Sequence, residues 1–361
     1  MYLSDLIPYA DHIQVPWTYF QGLSILPLII HFICMNILIG TLMIIVFDHL
    51  INQGRYANYL GKTISPHLPY IMAIGINFAV APYLFIQVIY GHFIYVSSIL
   101  MAWYWLSLVL LLIMSYYGLY GYYYKFEFLD NKRIYLIGSL LIVFLWVGFI
   151  FVNNMTLMQT PQNWIAYFKN SKGTLLNLLD PTIWPRFIHF IMASIAIAGL
   201  FISCIGSLQL NKKIPQDNLL APEKLVSFGM KWFTITTIVQ MGIGIWFLMA
   251  LPEQSIQLFM GKDTPATMVF IAALTCVLVA IYLGGQKKVW QTVSVIIPTM
   301  IMMALMRQWI REDSLEQYFT PKDLSFIPQY SPFIMFLVVL VAGIVMIGYM
   351  IRLAYPLSDQ S

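Results

Sequence analysis

The chain predicts an all-α bundle of membrane-spanning helices, and three observations carry that prediction. Sixty per cent of its 361 residues are hydrophobic and only 9% are charged, whereas soluble domains carry roughly 25% charged residues. The apolar residues gather into nine runs, each near or above the roughly 20 residues that cross a hydrocarbon core of about 30 Å. The connections are short apart from 158–183 and 312–330, so no soluble domain fits between the runs. Inside lipid each backbone N–H and C=O must be satisfied within the protein, which makes spans of this length helical.

The runs lie near 25–50, 68–91, 95–124, 133–157, 184–209, 223–251, 264–284, 288–311 and 331–354, within a single domain over 1–361. The first is too long for the apolar core of a signal peptide and no small-residue cleavage site follows it, so it is expected to persist as an anchor. The cations then mark alternate connections. One set is Arg55, Lys62, Lys125, Lys132, Arg133, Lys212, Lys213, Lys224, Lys231, Lys287, Lys288 and Arg352. The other is Lys169, Lys172, Arg186, Lys262, Arg307, Arg311 and Lys322. Twelve face seven, and cytoplasmic loops carry the excess of Lys and Arg. The N-terminus is therefore expected outside and the C-terminus inside.

Composition also excludes function classes. A net charge of +4 spread over loops offers no stripe for nucleic acid. Cys34, Cys204 and Cys276 stand alone in apolar runs, with no Cys-x-x-Cys and no Cys-x-x-Cys-His, so neither a disulfide framework nor covalently attached haem c is expected. There is no internal repeat, and Pro27, Pro82 and Pro298 are not symmetrically placed, which argues against the paired broken helices of transporters.

Polar residues at membrane depth carry the functional reading, because each is rare and costly there. With the orientation above, His31 lies about two turns into the first span. Gln87 and His92 close the second. Arg186 and His189 open the fifth, Met268 opens the seventh, and Arg307, Arg311 and Glu312 close the eighth. All are expected near the outer face. Haem iron is held by His, Met, Cys or Tyr, and bundles build such sites from facing helices. A His on one helix with a Met or His on another suffices for low-spin haem b. Arg186 and Arg307 are expected to pair with propionates, since arginine binds carboxylates bidentately.

The order of these residues resembles subunit I of the cytochrome bd family, over nearly the whole chain. The likeness rests on Phe20-x-x-Leu23, His31-Phe32 and Gly40 in the first span, and on Gly75–Val80 followed by Gln87–Gly91 in the second. It continues with Val152–Pro161 closing the fourth, Asp180-Pro181 and Arg186–His189 opening the fifth, and Thr267–Val269 in the seventh. The resemblance implies nine helices with an outward N-terminus and two or three haem b groups. His189 and Met268 would be axial ligands of a low-spin haem and His31 of a second. Glu312 matches the glutamate that ligates the third, and His92 is a further candidate. Arg186, Arg307, Arg311 and Gln87 would stand around the propionates and the ligands. It also implies a second bd-like membrane subunit.

The departures redirect the expected activity. Oxygen-reducing members have an acid where this chain has Gln87, the family's motif after the eighth helix is replaced by Ser314–Tyr318, and the quinol-binding loop shrinks to about 252–263. Gln87 cannot titrate. The chain then looks more like bd-like cytochromes that work beside multihaem c-type cytochromes: a respiratory subunit of a prokaryotic cytoplasmic membrane, carrying electrons between quinol and an external c-type partner. Trp103, Tyr104, Trp105 and Trp164 are candidate quinone contacts. The alternatives are a bd-type terminal quinol oxidase and a haem-free structural anchor.

Overall fold

The computed structural model describes residues 7–51, 55–212 and 221–358. Its regular structure is helical: α1 (Trp17–Ile51), α2 (Arg55–Ile64), α3 (Leu68–Leu100), α4 (Ala102–Tyr124), α5 (Phe126–Leu129), α6 (Arg133–Gln159), α7 (Ile183–Lys212), α8 (Pro222–Ala250), α9 (Glu253–Gln257), α10 (Thr264–Gly285), α11 (Val289–Leu315) and α12 (Tyr330–Ser358). Nine of these twelve, all but α2, α5 and α9, are long and apolar enough to cross a membrane, among the described residues. The chain is an integral membrane protein by that measure. Of the loop cations used for orientation, Lys213 lies outside the described residues.

Two expected boundaries are corrected. The second span runs on to Leu100 instead of ending near residue 91, and the third starts at Ala102 instead of residue 95. Gly91 and His92 read as a helix end, but the irregularity there is a single non-helical residue, Tyr90 (φ −121°, ψ 28°), after which the helix resumes. The turn falls at Met101 because a strap from the 160–182 connection satisfies the freed backbone. Gly173 O accepts from Trp103 N at 3.1 Å, and Leu175 N donates to Leu100 O at 3.0 Å. His92 is therefore inside α3, against Phe93 and Phe319, and not at its end. The first span likewise begins eight residues early, at Trp17, and the eighth continues to Leu315.

Packing follows small residues. Two helices in lipid gain no hydrophobic effect from meeting, so close backbone approach at Gly, Ala and Ser does the work. α7 and α8 form the most extensive pair. A Cβ on Gly199 would stand 2.7 Å from Gly229 O, and one on Gly229 would stand 2.4 Å from Gly199 O. Between them Ser203 Oγ donates to Val226 O at 3.2 Å. Gly40 seats α1 against α7 in the same way, with Ser194 O in the space of its missing side chain. Buried Asp48 on α1 accepts from Tyr56 N (2.8 Å) and Ala57 N (2.7 Å), which caps the start of α2.

One core, around Leu38, Leu42, Leu60, Leu68 and Met72, fills the half of the bundle nearest α2. A second, around Tyr90, Phe93, Met101, Leu157 and Trp164, fills the opposite end. That opposite end is closed by the 160–182 strap and by a short parallel bridge between Ile13 and Phe326. α12 stands apart: none of its apolar window is buried, and it meets α1 through Phe333 against Tyr19.

Gly229→Val is expected to lose stability by about 1–3 kcal/mol, the usual range for overpacking, while Gly242→Val, where nothing lies within 4 Å, should match the parent. Thermal unfolding in detergent, followed by light scattering, checks the pair.

Candidate functional site

The strap end of the bundle gathers the polar residues that sequence placed near one face. The α6–α7 connection is fixed there by asparagines. Asn153 Oδ1 accepts from Asn177 N at 2.9 Å, Asn177 Oδ1 accepts from Asn163 Nδ2 at 2.7 Å, and Asn177 Nδ2 donates to Thr160 Oγ1 at 3.1 Å. Asn154, with its amide turned to suit its neighbours, accepts from Trp105 Nε1 at 2.9 Å. Trp164 Nε1 donates to Leu157 O at 2.8 Å. Both indole N–H groups are thus engaged, one between α4 and α6 and one within the strap, and Trp103 is exposed. None of the three offers a free donor to a quinone in an enclosed site.

Arg186, in the first turn of α7, donates to Gln159 Oε1 at 3.1 Å, lies over the Phe247 ring at 5.2 Å, and leaves its Nε buried without a partner. On α11, Arg307 lies over Phe32 (5.5 Å) and Arg311 over Tyr90 (5.5 Å), and Arg311 Nε is again orphaned. The three guanidinium groups are within electrostatic reach of one another. Asp180 and Glu312 are near, but among the described residues the only ion pairs are Lys62–Glu127 and Arg133–Asp130, both elsewhere. Glu312 is held by amides: Oε1 accepts from Gln21 Nε2 at 2.5 Å and from Gln308 Nε2 at 3.3 Å.

Histidines that ligate a metal hold one ring nitrogen with a carbonyl or carboxylate and present the other. His31 meets that requirement. Its Nδ1 is 2.8 Å from Gly75 O, so that nitrogen carries the proton and Nε2 is left unprotonated, with Arg307 close by. A Cβ on Gly75 would meet Met35 Cε and Cys34 Cβ, so α1 and α3 pass close together at this carbonyl. His189 is differently placed. Gln240 Nε2 stands 3.2 Å from His189 Nε2, and the buried Nδ1 has no partner. Its ring faces Gly244 of α8, whose missing Cβ would lie 3.5 Å from His189 Cε1.

Met268 is 66% exposed, and α10 packs on α11 and α8 with little contact to α7. Gln87 stands one turn from Tyr83 on the same helix, beside its hydroxyl. No group of three or more His, Cys, Asp and Glu residues arranged to hold a metal ion occurs among the described residues, and the three cysteines are free. The donor set therefore fits haem at His31, where a carbonyl-held imidazole and arginines for carboxylates stand together.

Sequence reasoning missed Gln21, Gly75, Tyr90, Gln240 and Gln308. The three glutamines carry a legible signal, an amide inside an apolar run. Tyr90 does not, being one of 23 tyrosines. Comparison with family models, with curated proteins and with solved structures finds no match for this chain.

Asn177→Ala is expected to free the strap, because it leaves Asn153 and Thr160 short of partners at about 1–3 kcal/mol for each buried group unpaired. Limited proteolysis in detergent should then cut within 161–182 several-fold faster than in the parent, with no new sites elsewhere.

Proposed function

We propose that this chain is a haem b-carrying membrane subunit of an electron-transfer complex, which passes electrons between membrane quinol and a c-type, multihaem cytochrome on the outer face. The observation that carries the reading is His31. A histidine at membrane depth, with Nδ1 fixed by the Gly75 carbonyl and Nε2 bare, lies beside a layer of three arginines that lack carboxylate ion pairs. The likeness of the residue order to bd-type cytochromes supports the same reading, and Gln87 in place of an acid favours electron transfer over oxygen reduction.

In this reading His31 Nε2 is the axial ligand, and the Gly75 carbonyl fixes its tautomer and ring angle. Arg307, with Arg186 and Arg311, holds the propionates and supplies the positive field. Haem bound there supplies one-electron exchange. For His189 to serve a second haem, Gln240 must first release Nε2. Orientation belongs to the proposal too: the N-terminus and the strap face outward, away from the cation-rich loops, in a prokaryotic cytoplasmic membrane. The c-type partner then docks at the strap end, and a second bd-like subunit completes the complex.

His31→Ala is expected to remove one haem per chain in a pyridine-haemochrome assay while the size-exclusion profile is kept; unchanged haem content contradicts the assignment. Arg307→Ala should lower a haem midpoint potential, because a nearby positive charge favours the less positive, reduced iron. A raised or unchanged potential in redox titration takes Arg307 out of the site. In intact cells a membrane-impermeant maleimide should label Ser171→Cys and spare Asn131→Cys, and the reverse pattern would invert the orientation.

A further inference from the structure

At the end of the bundle away from the strap, where α3 begins and α4 ends, four tyrosines meet. Tyr116, Tyr120 and Tyr124 stand four residues apart on α4 and so share one face of it. Tyr70, in the first turn of α3, lies within electrostatic reach of Tyr120, as do Tyr116 and Tyr124. The rings order one another. Tyr116 meets Tyr120 edge to face with centroids 5.1 Å apart, and Tyr120 stacks on Tyr124 at 5.9 Å. The face is turned away from the protein: Tyr70 is 62% exposed and Tyr124 74%.

These hydroxyls have little to bond to within the chain. Those of Tyr116 and Tyr120 approach each other at 3.4 Å, and no other hydrogen bond involves the four groups among the described residues. Depth makes this costly. About 20 residues cross the hydrocarbon core, so a span that starts at Ala102 leaves the core near Tyr122. Water serves Tyr124 at the boundary, but Tyr116 lies two turns deeper, about 12 Å at 1.5 Å per residue. A hydroxyl without an acceptor in an apolar medium costs about 1–3 kcal/mol.

Charge and shape say what the acceptor is. Lys125 follows Tyr124 directly and is exposed, and the only ion pairs among the described residues, Lys62–Glu127 at 3.1 Å and Arg133–Asp130, leave it without an acid. Below the tyrosines the same face of α4 continues as Ile113, Leu110 and Leu106, all exposed. A molecule with an anionic head, polar oxygens one step below it and an apolar tail satisfies all three levels. Its phosphate accepts from Lys125 and Tyr124, its ester oxygens accept from Tyr120 and Tyr116, and its acyl chains lie along the aliphatic stripe.

We infer that the tyrosine face shared by α3 and α4 binds one anionic phospholipid, with Lys125 and Tyr124 on its phosphate and Tyr116 and Tyr120 on its ester oxygens. Anionic headgroups are drawn to clusters of Lys and Arg beside membrane spans, and this is the cation-rich end of the bundle. The site is independent of the haem reading and stands at the opposite end from His31 and the arginine layer.

The test is native mass spectrometry of the purified full chain in detergent, titrated with dioleoylphosphatidylglycerol and, separately, with dioleoylphosphatidylcholine. One phosphatidylglycerol adduct is expected to form ahead of all others and ahead of phosphatidylcholine. The double variant Tyr116→Phe with Tyr120→Phe keeps both rings and removes both hydroxyls, and it should weaken that adduct about tenfold. Lys125→Gln should weaken it several-fold, and Tyr19→Phe, at the strap end, should leave it unchanged. Equal affinity for the two lipids overturns the inference, and so does unchanged phosphatidylglycerol affinity in both the tyrosine and the lysine variants. Equal weakening by Tyr19→Phe would make the loss unspecific and overturn it as well. Displacement of the adduct by inorganic phosphate at equal potency would assign the donors to a free anion, against a lipid site.

Discussion

Three like charges placed together in a low-dielectric bundle end are the constraint on which the functional half of this protein depends. Arg186, Arg307 and Arg311 repel one another, and the nearest acids, Asp180 and Glu312, are engaged by Thr182 and by glutamines. Burying a charge without a partner is strongly unfavourable. The fold meets this locally by laying each guanidinium on an aromatic ring, Phe247, Phe32 and Tyr90 in turn, an interaction of about 0.5–2 kcal/mol apiece. That offsets part of the cost and leaves unpaired N–H groups on Arg186 and Arg311.

The rest of the architecture holds that layer in place. Glycine contacts fix α1 on α7, and α7 on α8, at backbone distances that no side chain tolerates. The asparagine-pinned strap then ties α3, α4, α6 and the start of α7 at the same end. His31 and the arginines are thus carried on helices, and the irregular backbone near them lies at Tyr90 and in the strap.

Much of this was legible in the sequence. The nine spans follow from apolar runs, since lipid forces a period-independent, all-round hydrophobicity that short runs cannot imitate. The gathering of His31, Arg186, Arg307, Arg311 and Glu312 at one end follows from alternating spans. What misled was local. Gly91-His92 reads as a helix end, yet the turn waits for Met101, because a lipid-facing helix can stop only where another segment satisfies its backbone, and that segment is more than seventy residues later in the chain. Met268 is exposed on α10, which packs chiefly on α11 and α8, and a position in an apolar run does not fix which face of a helix a residue takes. The partners of His31 and His189, a carbonyl and an amide, come from other helices and leave no trace near either histidine.

A reduced-minus-oxidised absorbance spectrum of the purified chain, with pyridine-haemochrome quantitation and with and without carbon monoxide, tests the central claim most directly. The account predicts haem b at one or more per chain, with no carbon monoxide shift. Absence of haem from protein made in a haem-replete host would contradict it, and a carbon monoxide-sensitive high-spin haem would contradict the electron-transfer assignment in favour of an oxidase.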